Sequence, residues 1–320
     1  MMNDDDRLTA MLRASNPART PLDAGPDAAA LAVRDRIMGA GHVRPRVLPR
    51  VMWVAAAAFV VIAVAAVSIL VPRAPAAAVT PAPIAFTSGG TVEEVVRMAE
   101  EKLAAAPGPE VSSRFARSES WGLSVDVDEQ RSEIVPQVMT LEWNPDLSGR
   151  MTVVAGEPYW PAGAARQGEG EATAPGETLS EMEFAAGQWN TPVVDLPGAS
   201  REDMFALLTA FGMPESPTAS DVIQAVTGVF EQWTLTNEQQ GQLLRILEES
   251  GGMTVLGSGT DRAGRDVVGL ETKSIFPGVE DMVLISAETG RIVGVESTRV
   301  TPDGIVPAGA VISYRMWGTD

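Results

Sequence analysis

The side chains of this 320-residue chain that could do chemistry are carboxylates, hydroxyls and indoles, with a single histidine and no cysteine. That histidine, His42, precedes a long apolar run, so the chain beyond the run holds neither imidazole nor thiol. Histidine-based triads, thiolate nucleophiles and cysteine-based zinc sites are excluded there. Lys273 and Ser274 suggest a Ser–Lys pair, but neighbours in a strand point to opposite faces, which works against it. Asp126, Asp128 and Glu129 offer oxygen ligands without the spaced ligands and glycine of a calcium hand, and read as a solvated acidic turn. Carboxylates are too abundant for any two to stand out as a glycosidase pair. Gly257-Ser258-Gly259 precedes a charged hairpin turn and not a helix, so it is no phosphate cradle.

The aromatic residues are more informative. Trp121, Trp143, Trp160 and Trp189 fall in or beside a strand-rich half. Trp121, Met139, Trp143, Trp160 and Phe184 are the candidates to line an apolar cleft under a curved sheet, and ordinary core packing accounts for the same residues. No catalytic residue, cofactor or metal is implied, and the expectation is a non-enzymatic protein.

The elements that position these residues hang from an apolar run at 51–71, twenty-one residues without a charge or an amide side chain, bracketed by Arg50 and Arg73. As a helix it reaches roughly 30 Å, the thickness of a bilayer's hydrocarbon core. Arg34, Arg36, Arg44, Arg46 and Arg50 precede it against Asp35 alone, so residues 1–50 are expected in the cytoplasm and everything after Arg73 outside. Trp53 suits the inner interface. The rival reading, a cleaved secretory signal with Ala74, Ala76 and Ala78 as small-residue sites, requires a shorter apolar region and no fifty-residue leader.

Charge is uneven along the chain. Residues 1–50 carry eight Arg and six Asp, and Arg73 adds one positive charge, so residues 74–320 hold a balance of −21 within the overall −18. Such a surface repels phosphate backbones and anionic headgroups, which argues against nucleic acid as an external partner. Without disulfides, the outer domain depends on an apolar core, which its length permits.

In the cytoplasmic segment, Asp27 can cap a short helix over Ala28 to Met38 whose apolar side is Leu31, Val33, Ile37 and Met38, a surface that needs a partner or the membrane. A frayed leader is the alternative. Residues 72–90 alternate Pro and Ala and read as an extended spacer. From 91 the folded region begins. Thr91 and Glu94 form a capping box for a helix carrying Val92, Val95, Val96, Ala99 and Leu103. Strands are expected at 115–127, 134–143 and 150–154, then a mobile loop at 163–178 and a strand at 179–189. Three helices come next, at 200–211, then one capped by Ser220, then one capped by Thr236 with Gln239. Strands return at 253–257, 266–272, 282–286, 292–297 and 311–317. The fold class is α+β: a curved antiparallel sheet with segregated helices, on a single transmembrane helix.

Several of these segments carry a resemblance: the juxtamembrane arginines, the alanine-rich span, Arg117-Ser118-Glu119-Ser120-Trp121, the helix Gln239 to Glu249, Gly252-Met253-Thr254-Val255 and Thr260-Asp261-Arg262-Ala263-Gly264-Arg265. Through them the chain resembles, over nearly its full length, a family of functionally uncharacterised actinobacterial single-pass membrane proteins. The resemblance implies genes placed beside those of extracytoplasmic-function sigma factors. The outer domain is similar in architecture to periplasmic lipoprotein carriers and sigma-regulator sensor domains. The resemblance and the residues together lead to the expectation of a membrane-anchored envelope protein whose outer domain binds an apolar ligand, such as a lipid, or an envelope protein, with sensing as one use of such binding. The alternative is an anti-sigma-like regulator gripping a sigma factor with residues 1–50, and an envelope hydrolase comes last for want of a nucleophile and base.

Overall fold

The computed structural model describes residues 80–87, 89–123, 134–159, 174–304 and 306–318. The cytoplasmic segment with Leu31, Val33, Ile37 and Met38, the apolar run 51–71, the acidic turn at 126–129 and Trp160 lie outside the described residues. Among the described residues no helix is long and apolar enough to cross a membrane.

Among the described residues, ten strands and four helices succeed one another as β1 (Phe86–Thr87), α1 (Val92–Ala105), β2 (Phe115–Gly122), β3 (Gln137–Trp143), β4 (Gly149–Ala155), β5 (Thr178–Phe184), α2 (Arg201–Ala210), α3 (Ala219–Phe230), α4 (Asn237–Ser250), β6 (Thr254–Thr260), β7 (Asp266–Lys273), β8 (Val279–Ser286), β9 (Ile292–Arg299) and β10 (Ala310–Trp317). The strands form one open sheet in the order β1-β6-β7-β8-β9-β10-β2-β3-β4-β5, antiparallel at every pairing. Two meanders are thus joined edge to edge where β10 meets β2, Tyr314 opposite Trp121 and Trp317 opposite Ser118. The mixed fold with an antiparallel sheet agrees with the sequence expectation.

Side chains alternate between the faces of a strand, so register assigns each residue to a face. One face carries Ala116, Leu141, Trp143, Leu270, Val283, Ile285, Ile292 and Trp317, buried against the helices in a single cluster. α4 is the central helix and packs against α1, α2 and α3. Its Leu243, Leu244 and Leu247 and the Val222, Val226, Val229 and Phe230 of α3 are buried in the same cluster. Each such side chain contributes roughly 1.5–3 kcal/mol of transfer free energy. Among the described residues no helix covers the opposite face, which has a smaller apolar cluster of Val267, Met282, Leu284 and Val293 with Ile84, Phe86 and Leu256 packed against it.

Local signals explain most helix starts. The capping boxes Thr91/Glu94 and Thr236/Gln239 form as expected. α3 differs: its cap is Thr218, whose hydroxyl accepts from the Asp221 backbone N–H, with the Asp221 carboxylate returning to the Thr218 N–H. Ser220, expected as the cap, lies inside the helix and is fully buried, where its hydroxyl donates to Asp281 Oδ2 at 2.7 Å and accepts from the Ile275 N–H. It pins α3 to the sheet. Strand 115–127 ends at Gly122, and 179–189 ends at Phe184, because a turn at 186–187 folds Trp189 back onto Leu147.

β1 lies within the stretch read as spacer. Its short pairing with β6 is held by Phe86, whose ring lies over Gly259 and Gly269; a Cβ added at Gly269 would stand 2.7 Å from that ring. Gly290 performs a comparable service in the β8–β9 hairpin, with φ +75° and an added Cβ only 2.1 Å from the Ala99 carbonyl oxygen of α1.

Candidate functional site on the helix-free face

The helix-free face gathers the protein's polar, aromatic chemistry at the joint between the two meanders. On β2, Glu119 and Trp121 face Met316 and Tyr314 of β10, and Tyr314 in turn lies opposite Glu296 of β9. Trp121 stacks on Tyr314 with ring centroids 6.2 Å apart and an interplanar angle of 24°. The β6–β7 turn supplies the cation. Asp261 Oδ1 accepts from the N–H groups of Ala263 and Arg265, both at 2.9 Å, and Gly264 takes φ +78°, a left-handed conformation that favours glycine. Arg262 leaves this turn to donate through Nε to Glu296 Oε2 at 2.7 Å, with Nη2 making a second contact to the same oxygen. Its guanidinium lies 4.9 Å from the Tyr314 ring centroid, and Nη2 also donates to the Ala82 carbonyl. Arg265 ties the turn to β9 and β10 through the carbonyls of Val293 and Trp317.

Burial sets the electrostatics. Glu296 is 3% exposed, and its Oε1 has no hydrogen-bond partner among the described residues. Desolvation lifts its carboxyl above the usual carboxylate range despite the adjacent Arg262 charge. Glu119 is raised by the same cause, opposed by Arg265. Desolvation also raises both phenols, Tyr159 and Tyr314, whose hydroxyls lie 3.5 Å apart. They are the chain's only two tyrosines. The result is a platform of Trp121 on Tyr314, itself backed by a buried ion pair, with Trp121 half-buried at its surface.

Of the described residues expected to line one cleft, Trp121 is parted from Met139, Trp143 and Phe184, which share the helix side. Trp121 and Trp143 occupy opposite faces: Trp121 stands opposite Tyr314 on the helix-free side, whereas Trp143 follows Leu141 and Ala116 onto the helix side. Trp143 is 4% exposed, sits edge-on to Trp233 with centroids 4.8 Å apart, and donates Nε1–H to the Gln232 carbonyl at 2.9 Å. Arg114 lies over both indoles at 5.3 and 5.2 Å. Met139, half-buried, lies on the helix side opposite Ser118 and Val153. Phe184 closes β5 and packs edge-on to Trp189 at 5.0 Å. The physical reason is parity along the strands, since Trp121 and Trp143 belong to different alternation sets once β2 and β3 pair. Lys273 and Ser274 do not pair either; Ser274 Oγ accepts from the Phe276 N–H in the β7–β8 turn.

Arg262, Glu296 and Tyr314 escaped the sequence reading. One signal in the sequence pointed to this cluster, the isolated Glu within the apolar strand Ile292-Val293-Gly294-Val295-Glu296.

No model of a known protein family matches the chain, and no curated protein matches it. Among solved structures it is similar to MucB in complex with MucA(peri), at 9% identity and a TM-score of 0.25, over 71% of this chain. The chain spans about half, 54%, of that one, a likeness too slight to carry an argument.

Proposed function

We propose that the chain is a non-enzymatic, membrane-anchored protein of the cell envelope, held by the span at 51–71 with its amino terminus in the cytoplasm, whose outer domain binds a partner protein through the helix-free face. The observation that carries this reading is the Trp121–Tyr314 platform, a half-buried indole stacked on a ring that lies over the buried Arg262–Glu296 pair. Tryptophan, tyrosine and arginine dominate the energetics of protein interfaces, and a rigid platform loses little entropy on binding. The reach of the β6–β7 turn across to Glu296 and Trp317 supports a sheet curved about this face. A protein is favoured over a lipid for two reasons. The layer between sheet and helices, where a carrier would hold acyl chains, is filled by Trp143, Trp233, Trp317 and Phe230 except for a groove of about 300 Å³ beside the last three, a space at the small end of the small-molecule range. The acidic outer domain also repels anionic headgroups and suits a partner with a basic contact surface.

Native mass spectrometry of the full-length chain released from its own membranes tests the reading. The expected result is a partner-bound species that disappears in Trp121→Ala, with no stoichiometric lipid released by organic extraction. Stoichiometric lipid with no partner-bound species would overturn it in favour of a carrier.

A further inference from the structure

A second site lies on the helix side, where the start of β2, the α3–α4 joint and the ends of the β8–β9 and β10 strands leave a groove of about 300 Å³. Phe230, Trp233 and Trp317 give it an apolar wall, and Arg117, Gln240 and Arg291 are among the polar side chains that line the rest. Arg291 Nη2 donates to the Leu235 carbonyl at 2.8 Å and Nη1 to Asn237 Oδ1, both neutral acceptors. Among the described residues no carboxylate lies within ion-pair distance of it, in a domain where acids outnumber bases heavily. Burial makes the charged form of Arg291 less favourable, and no counter-charge offsets it. A desolvated cation without a counterion is costly, and an anionic ligand in the groove would offset that cost.

We infer that this groove binds a small amphipathic carboxylate, its anionic head on Arg291 and its apolar body against Phe230, Trp233 and Trp317. The site is separate from the helix-free face and does not depend on the reading given to that face. A carboxylate accepts two guanidinium hydrogens at once, and the groove's size falls at the lower end of the small-molecule range.

Isothermal titration of the purified full-length chain with 4-phenylbutyrate, and with 4-phenylbutyramide as its neutral counterpart, tests the inference. The acid is expected to bind saturably and the amide at least about tenfold more weakly, the difference made by the charge. Ser113→Trp places a large ring at the groove from an exposed position without touching the ties of Arg291, and is expected to abolish binding. Arg291→Gln is expected to weaken the acid to the level of the amide. Because that change also removes a tie to the α3–α4 joint, its melting temperature is read alongside, and Ser113→Trp decides the matter if Arg291→Gln unfolds. No saturable binding at millimolar acid, equal binding of acid and amide, or undiminished binding in Ser113→Trp would each overturn the inference.

Discussion

Arg262 and Glu296 hold each other in a place where neither is stable alone. Arg262→Met leaves a carboxylate 3% exposed without its counter-charge, and is expected to cost about 3–5 kcal/mol in chemical denaturation at neutral pH. That loss shrinks on acidification, because protonating Glu296 removes the orphaned charge; Arg262→Met/Glu296→Leu recovers much of it at every pH. Glu271 gives a cleaner titration. Desolvation, then repulsion from Glu280, raises its carboxyl above the ordinary value of 4.5, with no cation among the causes. A carboxyl whose folded pKa is raised binds its proton more tightly in the native state, so stability falls as pH climbs from the unfolded pKa through the folded one. Glu271→Gln should therefore raise the melting temperature at pH 7 and leave it unchanged near pH 3, by less than about 1 kcal/mol because the group is partly solvated. The two tryptophans show what the sequence could not deliver at this scale. Trp121 and Trp143 were readable as strand residues, but the face each one takes depends on the pairing of β2 with β10 and β3, which no local pattern encodes.

At the scale of elements, two close approaches fix how the layers meet. Gly290 brings the β8–β9 hairpin against the α1 backbone, and Gly290→Ala adds left-handed strain to a backbone clash. A loss of more than about 2 kcal/mol is expected from thermal denaturation, whereas Gly304→Ala, also left-handed but with open space around it, should cost nearer 1 kcal/mol. Gly269→Val displaces the Phe86 ring and should release β1 from β6. Limited proteolysis would then cut around residue 86 in the variant while sparing the wild type. Helix starts were legible at Thr91/Glu94 and Thr236/Gln239, whose local boxes close on Glu and Gln. The start of α3 was misread because aspartate stands at the third position of its box, and because Ser220 looks like a cap although Asp281, sixty-one residues away, is its partner. β1 was hidden by its proline-rich surroundings and its two-residue length.

At the scale of the molecule, the described residues form an acidic domain whose two meanders meet at β10 and β2, almost two hundred residues apart in sequence, so the platform assembled there exists only in the folded chain. The α+β class was readable from the order of helix and strand periods, the joint was not. The proposed anchor has a direct consequence in a chain without cysteine. A membrane-impermeant maleimide added to intact cells should label Glu202→Cys, on the exposed side of α2, and should reach Asp23→Cys only after lysis. The reverse pattern would refute the topology. The central claim concerns the face itself, and site-specific photo-cross-linking tests it most directly. A photoreactive amino acid is placed at Trp121 in one full-length chain and at Glu202, on the helix side, in another, both in native membranes. A discrete protein adduct from position 121, absent from position 202 and lost when a second change, Tyr314→Ala, removes the platform, is the result the account predicts. No adduct from 121, or the same adducts from both positions, would contradict it.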